Sequence, residues 1–276
     1  MNHTEKSVLT DGFLAEAVDN WRKVHKRRAC DWFELAYEMN KFGHEVKFIA
    51  ERKGHPPAKQ HLFAGCLLYL RSLTTFQASI RLAEYGLVVD SQTLIRSCLE
   101  NLFFLVMLKE NPKFVASMIK SDVLQEKKKL DGFLKLPPDL GLNEKRTEKI
   151  KSYLGQLPND LSAIQFIDIA QKAGLSHMYN TYYRGLSHIA AHPNIQALKR
   201  HISYDQHSNP KGYLYGPDAS NNDLGSTVAY ACSIFHCTTK ATLELFPDEA
   251  LHSKNDSLFE RYSKLAHRDF PNQFDD

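Results

Sequence analysis

One stretch of the chain, YYRGLSHIAAHP, combines hydroxyl, guanidinium and imidazole side chains at helical spacing. Residues four apart on a helix lie above one another, so Tyr183 stands over Ser187. The same spacing aligns Arg184, His188 and His192 in a row. Such groups can hold an anion or transfer protons, so this stretch is the first candidate site.

A second polar pair, Arg96 and Glu100, is also four residues apart and lies in the otherwise apolar stretch 94–108. Charges in such a helix are expected to be partly buried, and a buried charge left without its partner costs about 3–5 kcal/mol. Candidate partners are the hydroxyl and imidazole groups of the first stretch: Tyr183, Ser187, His188 and His192. The resulting network would be either a catalytic site or a polar clamp that fixes the register of two helices.

The residue types exclude several reactions. His188 and His192 have two-histidine metal spacing, but Ile189 stands where a metalloprotease needs Glu, and no helix presents a convincing Glu-x-x-His pair. We therefore expect neither a metal nor a cofactor. Ser187 and His188 are adjacent on a helix and point about 100° apart, which argues against a Ser–His nucleophile. The enzymatic option that remains is metal-independent RNA cleavage, in which His acts on the 2′-hydroxyl proton and Arg stabilises the phosphorane charge.

The elements that position these residues are predicted to be helical, because a 3.6-residue apolar period recurs along nearly the whole chain. The fold class is therefore all-α, a single multi-helix bundle in one domain over 1–276. The predicted helices are those of the N-terminal region (11–53) and those at about 58–85, 90–110, 112–134, 143–154, 161–173, 177–192, 227–246 and 257–267. Asp90 or Ser91 is expected to cap the helix that carries Arg96. One long ordered loop is expected from about Ser203 to Gly225, and a C-terminal tail over 247–276.

Composition points to an ordinary globular protein. The 276 residues are 43% hydrophobic and 24% charged, with a net charge of +3. The overall charge is too small to indicate a dedicated nucleic-acid binder, and the basic runs at 22–28 and 127–129 are interpreted as solvated helix faces. The longest apolar run, 102–108, is far shorter than the roughly 20 residues of a membrane span. Together with scattered cysteines and no visible signal peptide, this predicts a cytoplasmic protein with no membrane partner.

The stretch LAEYGLVVDSQTLIRSCLE at 82–100, followed by YRGLSH and the later His-Pro pair, resembles a helical bacterial family, domain of unknown function 5677. The resemblance covers about 60–245 and depends on six positions: Arg96, Glu100, Tyr183, Ser187, His192 and Pro193. The family is similar to HEPN-type helical domains, so the resemblance implies a defence or toxin role. HEPN nucleases use an Arg and a His that are separated in the sequence by four to six residues. Arg184 is followed at other spacings by His188 and His192.

Two functions follow as hypotheses. The first is a HEPN-like RNase of bacterial defence or stress response, with an RNA substrate. In it His192 is the acid–base group, Arg184 or Arg96 holds the phosphate, and Glu100 orients them. The second is a non-catalytic sensor or adaptor, whose buried Arg-Glu-Tyr-His network holds the bundle together while the loop from Ser203 to Gly225 binds a protein partner. A homodimer is a further candidate assembly.

Overall fold

The computed structural model describes residues 11–15, 18–54, 59–137, 139–141, 143–188, 195–213 and 221–271. Its longer helices are α1 (Val18–Arg28), α2 (Cys30–Gly54), α3 (Gln60–Glu84), α4 (Val88–Glu110), α5 (Phe114–Leu134) and α6 (Glu144–Gln156). They are followed by α7 (Phe166–Lys172), α8 (176–188), α9 (Ile195–Leu198), strands β1 (Ile202–Tyr204) and β2 (Pro210–Tyr213), α10 (Asn221–Leu245) and α11 (Glu249–Asp269). Short 3₁₀ turns lie at Gly12–Leu14 and Lys199–His201. The all-α fold class is confirmed.

The core is formed by the four helices α2, α3, α4 and α10, each 23 to 25 residues long. α4 packs along α3 and α10, and α11 covers α2 and α10 from outside. In the centre, the rings of Phe76 and Phe235 stack with their centroids 4.2 Å apart. Gly43 permits this packing, because a Cβ atom there would lie 2.8 Å from the Phe235 ring. The long central helices thus form a rigid frame for the polar residues of α4.

The end of α3 follows the predicted pattern and the start of α4 does not. Gly86 has a φ of 77°, the left-handed conformation that glycine adopts at helix C-termini. α4 then begins at Val88, so the prediction that Asp90 or Ser91 caps it is wrong. The Ser91 hydroxyl instead donates to the Ser79 carbonyl oxygen at 2.8 Å and joins α4 to α3.

The long loop predicted at 203–225 is wrong in part, because a small hairpin and the start of α10 occupy it. Strands β1 and β2 pair antiparallel. The Asp205 carboxylate closes their turn by accepting hydrogen bonds from the backbone amides of His207 (2.8 Å) and Asn209 (2.9 Å). Strands of three and four residues are too short to show alternation in a sequence. α10 begins at Asn221, six residues before the predicted start.

The C-terminal region is more ordered than a tail. α11 covers Glu249–Asp269, well beyond the predicted 257–267, and Asp248 caps it by accepting from the Leu251 amide at 3.1 Å. Near the middle of the chain, α7 begins at Phe166 and not at 161. Of the helices in the described ranges, none is long and apolar enough to cross a membrane.

Candidate functional site

The site is formed where α8 crosses α4. α8 is one continuous helical segment over 176–188 that contains a π-helical turn at Tyr179–Tyr183. π-helical turns are rare and occur frequently at functional sites. The ring of Tyr183 is buried against α4, and Tyr179 stacks on it with a centroid distance of 4.9 Å. The packing of the Tyr183 ring against Phe103 and Tyr179 therefore holds its hydroxyl in place.

Three of the predicted site residues meet in one hydrogen-bonded group, the Arg96 cluster: Arg96, Glu100 and Tyr183. Arg96 Nη2 donates to the Tyr183 hydroxyl at 2.8 Å, and that hydroxyl donates to Glu100 Oε1 at 3.1 Å. Arg96 Nη2 also lies 3.1 Å from Glu100 Oε1. The side chains of Arg96 and Glu100 remain 26% and 23% exposed, so solvent reaches the cluster.

The electrostatics of the cluster keep Tyr183 protonated. Burial raises the pKa of the Tyr183 hydroxyl, the Glu100 carboxylate acts in the same direction, and Arg96 acts against both. The Arg96 guanidinium carbon lies 4.9 Å from the centroid of the Tyr183 ring, a cation–π contact. Tyr183 is therefore a hydrogen-bond donor and a packing surface rather than a base.

Two polar atoms near the cluster have no hydrogen-bond partner within the described residues. They are Arg96 Nε and the Ser187 hydroxyl oxygen, and both atoms are buried. An unsatisfied buried donor costs about 1–3 kcal/mol unless a ligand or water bonds it. Ser187 thus lies near the cluster but does not join its hydrogen bonds, in contrast to the predicted network. In the part of the chain that the structure describes, buried unpaired atoms also occur at Gln92, Asn101, His236 and Asn255, and Arg96 Nε is the one that belongs to the cluster.

The remaining predicted site residues, Arg184, His188 and His192, are not part of the Arg96 cluster as described. Arg184 and His188 are exposed on α8, on a side different from the buried Tyr183. Arg184 donates no hydrogen bond to the Arg96 cluster among the described residues. His192, with Pro193, lies outside the described residues, so its role stays a prediction.

A second Arg–Glu–Tyr group, the Glu84 cluster, was missed by the sequence analysis. It consists of Arg22 on α1, Tyr37 on α2, and Arg81 and Glu84 on α3. Arg22 Nε and Arg81 Nη1 donate to Glu84 Oε2 at 2.7 and 2.9 Å, and the Tyr37 hydroxyl donates to Glu84 Oε1. The Glu84 side chain is fully buried.

The Glu84 carboxylate is ionised in the folded protein. Burial acts to raise its pKa, but the hydrogen bonds from Tyr37, Arg81 and Arg22 outweigh burial, and the pKa is lowered from its ordinary value. The only sequence signal for this cluster is the Arg81–Glu84 spacing of three residues, because Arg22 and Tyr37 come from other helices. Both carboxylate oxygens are bonded and the side chain is fully buried, so Glu84 presents no surface to a ligand.

A groove of about 490 Å³ lies beside the Glu84 cluster, between α2 and α3. Its polar wall includes Asn40 and Gln77, whose amide groups bond each other at 2.8 Å. Among the described residues, no group of three or more His, Cys, Asp or Glu side chains could hold a metal ion. Within the described residues, no side chain that lines this groove has a buried polar atom without a hydrogen-bond partner, in contrast to Arg96.

The fold and the cluster define an all-helical protein with a half-open Arg–Glu–Tyr site between two helices. The chain belongs to the family of unknown function DUF5677, whose sequence model matches residues 62–210. The matched span is shorter than the 60–245 expected from resemblance, but it contains the whole Arg96 cluster. No curated protein and no solved structure matches the chain.

Proposed function

We propose that this protein is a HEPN-like, metal-independent RNase of bacterial defence or stress response, and that the Arg96 cluster is part of its active site. The observation that supports the proposal most is the pairing of a solvent-accessible, hydrogen-bonded triad with two unpaired buried atoms, Arg96 Nε and Ser187 Oγ. A catalytic role is one of the recognised explanations for an unsatisfied buried polar group in a native protein.

The proposed reaction breaks one P–O bond of RNA without a metal. His192 removes the proton from a 2′-hydroxyl group, and the 2′-oxygen attacks the adjacent phosphorus. The 5′-oxygen leaves and takes a proton from solvent, which gives a 2′,3′-cyclic phosphate and a 5′-hydroxyl end. Arg96 stabilises the charge that develops on the phosphorane oxygens. Glu100 and Tyr183 hold the Arg96 guanidinium in place, and exposed Arg184 contacts a neighbouring phosphate.

The second candidate function is a non-catalytic sensor or adaptor. It is favoured by the closure of the triad on itself, since Glu100 lies 3.1 Å from Arg96 Nη2 and offsets its charge. In that case the cluster fixes α8 against α4, and the protein acts by binding a partner.

The integrity of total RNA after induction in a bacterial host separates the two functions. Under the RNase proposal, wild type fragments RNA and arrests growth, and His192→Ala does neither while its melting temperature stays unchanged. Intact RNA with wild type would reject the RNase proposal. Strong destabilisation by both Arg96→Ala and Glu100→Ala would then support the adaptor function.

A further inference from the structure

The hairpin of α5 and α6 with its flanks, residues 113–157, is here named the basic arm. α5 buries only Phe114, at its first residue, with Val115 and Met118 partly buried against the core, and all of α6 is described with none of its 13 residues buried. Beyond the first turns of α5, core packing therefore does not account for the residue types of the arm.

The arm holds the whole positive excess of the chain. Residues 113–157 contain ten Lys and Arg against six Asp and Glu, a net charge of +4. The full chain has 35 basic and 32 acidic residues, so the remainder has 25 and 26, a net charge of −1. A charge separation of this kind within one chain indicates a surface for a polyanion.

The other basic run of the chain has a structural use that the lysine run of the arm, residues 127–129, lacks. In α1, Arg22 pairs with Glu84, and the Lys26 ammonium lies 4.6 Å from the Tyr37 ring centroid. In the arm, Lys127, Lys128 and Lys129 form no ion pair with any described residue. Lys128 and Lys129 are exposed and Lys127 is partly buried, and the three charges are available to a partner.

Exposed aromatic rings accompany the lysines of the arm. Phe133 follows Lys129 by four residues, and Tyr153 follows Lys149 by four, so each ring lies one turn from an ammonium group. The rings are 39% and 40% exposed. Alternating positive charges and exposed rings are typical of surfaces that bind single-stranded nucleic acid, where the rings stack on unpaired bases.

The two ring and ammonium pairs lie on the same side of the hairpin. The Tyr153 hydroxyl donates to Glu126 Oε2 on α5 at 3.0 Å. Glu126 and Phe133 are two helical turns apart and share one face of α5. Tyr153 therefore lies on the side of α5 that carries Phe133, and one strand of nucleic acid can contact both rings.

A row of aromatic rings connects the base of the arm to the Arg96 cluster. Centroid distances are 5.7 Å from Phe114 to Phe104, 5.8 Å from Phe104 to Phe166 and 5.7 Å from Phe166 to Tyr183. Phe114 begins α5, and Tyr183 belongs to the cluster. Three successive ring contacts thus connect the first residue of α5 to Tyr183.

We propose that the basic arm binds single-stranded RNA through its phosphates and unpaired bases and delivers it to the Arg96 cluster. The delivery step rests on the proposed RNase function, whereas binding to the arm does not. Lys127, Lys128 and Lys129 contact phosphates, and Phe133 and Tyr153 stack on bases.

The test is fluorescence anisotropy with a labelled 2′-O-methyl RNA of mixed sequence, which lacks the 2′-hydroxyl needed for cleavage. The variant is Lys127→Gln with Lys128→Gln and Lys129→Gln. The matched control removes three exposed charges elsewhere: Lys23→Gln, Arg27→Gln and Lys264→Gln. Circular dichroism verifies that both variants are folded.

The arm variant should bind at least about tenfold more weakly between about 50 and 200 mM KCl. Its plot of log affinity against log salt should be shallower by about 2, because each phosphate contact to a single strand contributes about 0.7. The control should bind within about twofold of wild type, since only contacting charges release counterions. Equal losses in the two variants, or no binding by wild type, would overturn the proposal.

The two proposals fail in different ways. If wild type binds this RNA through the arm and cleaves no ribose RNA, the RNase proposal fails and the arm proposal stands. If wild type and the arm variant cleave ribose RNA with the same KM, the arm proposal fails and the RNase proposal stands.

Discussion

The Glu84 cluster and the Arg96 cluster have the same three residue types and opposite degrees of closure. Glu84 is fully buried and accepts from two arginines and a tyrosine. Glu100 is 23% exposed and has one arginine and one tyrosine. Near Arg96, two buried polar atoms stay unpaired within the described residues.

The difference separates a structural clamp from a candidate site. The Glu84 cluster joins α1, α2 and α3, and its buried carboxylate accepts three hydrogen bonds, which is the arrangement of a structural clamp. The Arg96 cluster joins α4 and α8 with donors to spare, which costs stability that a ligand could restore. We therefore expect mutations in the first cluster to change stability and mutations in the second to change activity.

The largest stability effect should come from removing the buried carboxylate. Glu84→Ala removes the acceptor of hydrogen bonds from Arg22, Arg81 and Tyr37 and should lower the free energy of unfolding by about 3 kcal/mol, because the partly exposed arginines regain part of their bonding from solvent. Glu100→Ala should lower it by about 1 kcal/mol or less, because the pair is about a quarter exposed and one turn apart. Urea unfolding followed by circular dichroism measures both. Equal losses would mean that the two clusters do not differ in role.

The contribution of Glu84 should also depend on pH. Because its pKa is lower in the folded protein than its ordinary value of 4.5, its stabilisation is fully present above pH 4.5. The stabilisation is lost as the pH falls through the lower, folded pKa. The difference in unfolding free energy between wild type and Glu84→Ala should thus be constant from about pH 7 to 5 and shrink below about pH 4. A difference that grows towards acid would show that Glu84 is not the ionised acceptor.

The two tyrosine hydroxyl groups provide a matched pair. Tyr37→Phe removes a donor to a buried carboxylate and should cost about 2 kcal/mol of unfolding free energy. Tyr183→Phe removes a hydroxyl at the half-open cluster and should cost about 1 kcal/mol. Thermal unfolding of the two variants measures the difference. A larger loss for Tyr183→Phe would indicate that the Arg96 cluster is the main clamp.

The smallest effect is expected at Ser187. Ser187→Ala removes a buried hydroxyl that has no partner in the described structure, so stability should stay unchanged or rise by up to about 1 kcal/mol. Urea unfolding provides the value. A loss of more than about 1 kcal/mol would show that the hydroxyl has a partner that stabilises the fold.

The helices could be predicted from the sequence because their apolar period is long and regular. The stretch 60–84 shows this period over seven turns and ends at a glycine, and the structure follows it. The start of α4 could not be predicted in the same way. Ser91 is a good capping residue by type, but its hydroxyl bonds the Ser79 carbonyl oxygen of the neighbouring helix, a tertiary contact that local rules do not contain.

The Arg96 cluster could be predicted in outline, because charges four apart in an apolar helix require a partner. The π-turn that contains Tyr183 could not, since a shift in backbone hydrogen bonding leaves no mark on the residue pattern. In the Glu84 cluster, Tyr37 is 47 positions and Arg22 is 62 positions before Glu84 in the sequence. Its assembly follows from helix packing and not from spacing along the chain.

The most direct test of the difference between the clusters is RNA cleavage in EDTA by purified Arg96→Gln and Arg81→Gln proteins. Each arginine pairs with a glutamate on its own helix, but only Arg96 belongs to the half-open cluster. We expect Arg96→Gln to lose about 100-fold in rate, the scale of one transition-state donor, and Arg81→Gln to stay within about twofold of wild type. Equal rates in the two variants, or cleavage lost only in Arg81→Gln, would contradict the assignment of the Arg96 cluster as the active site.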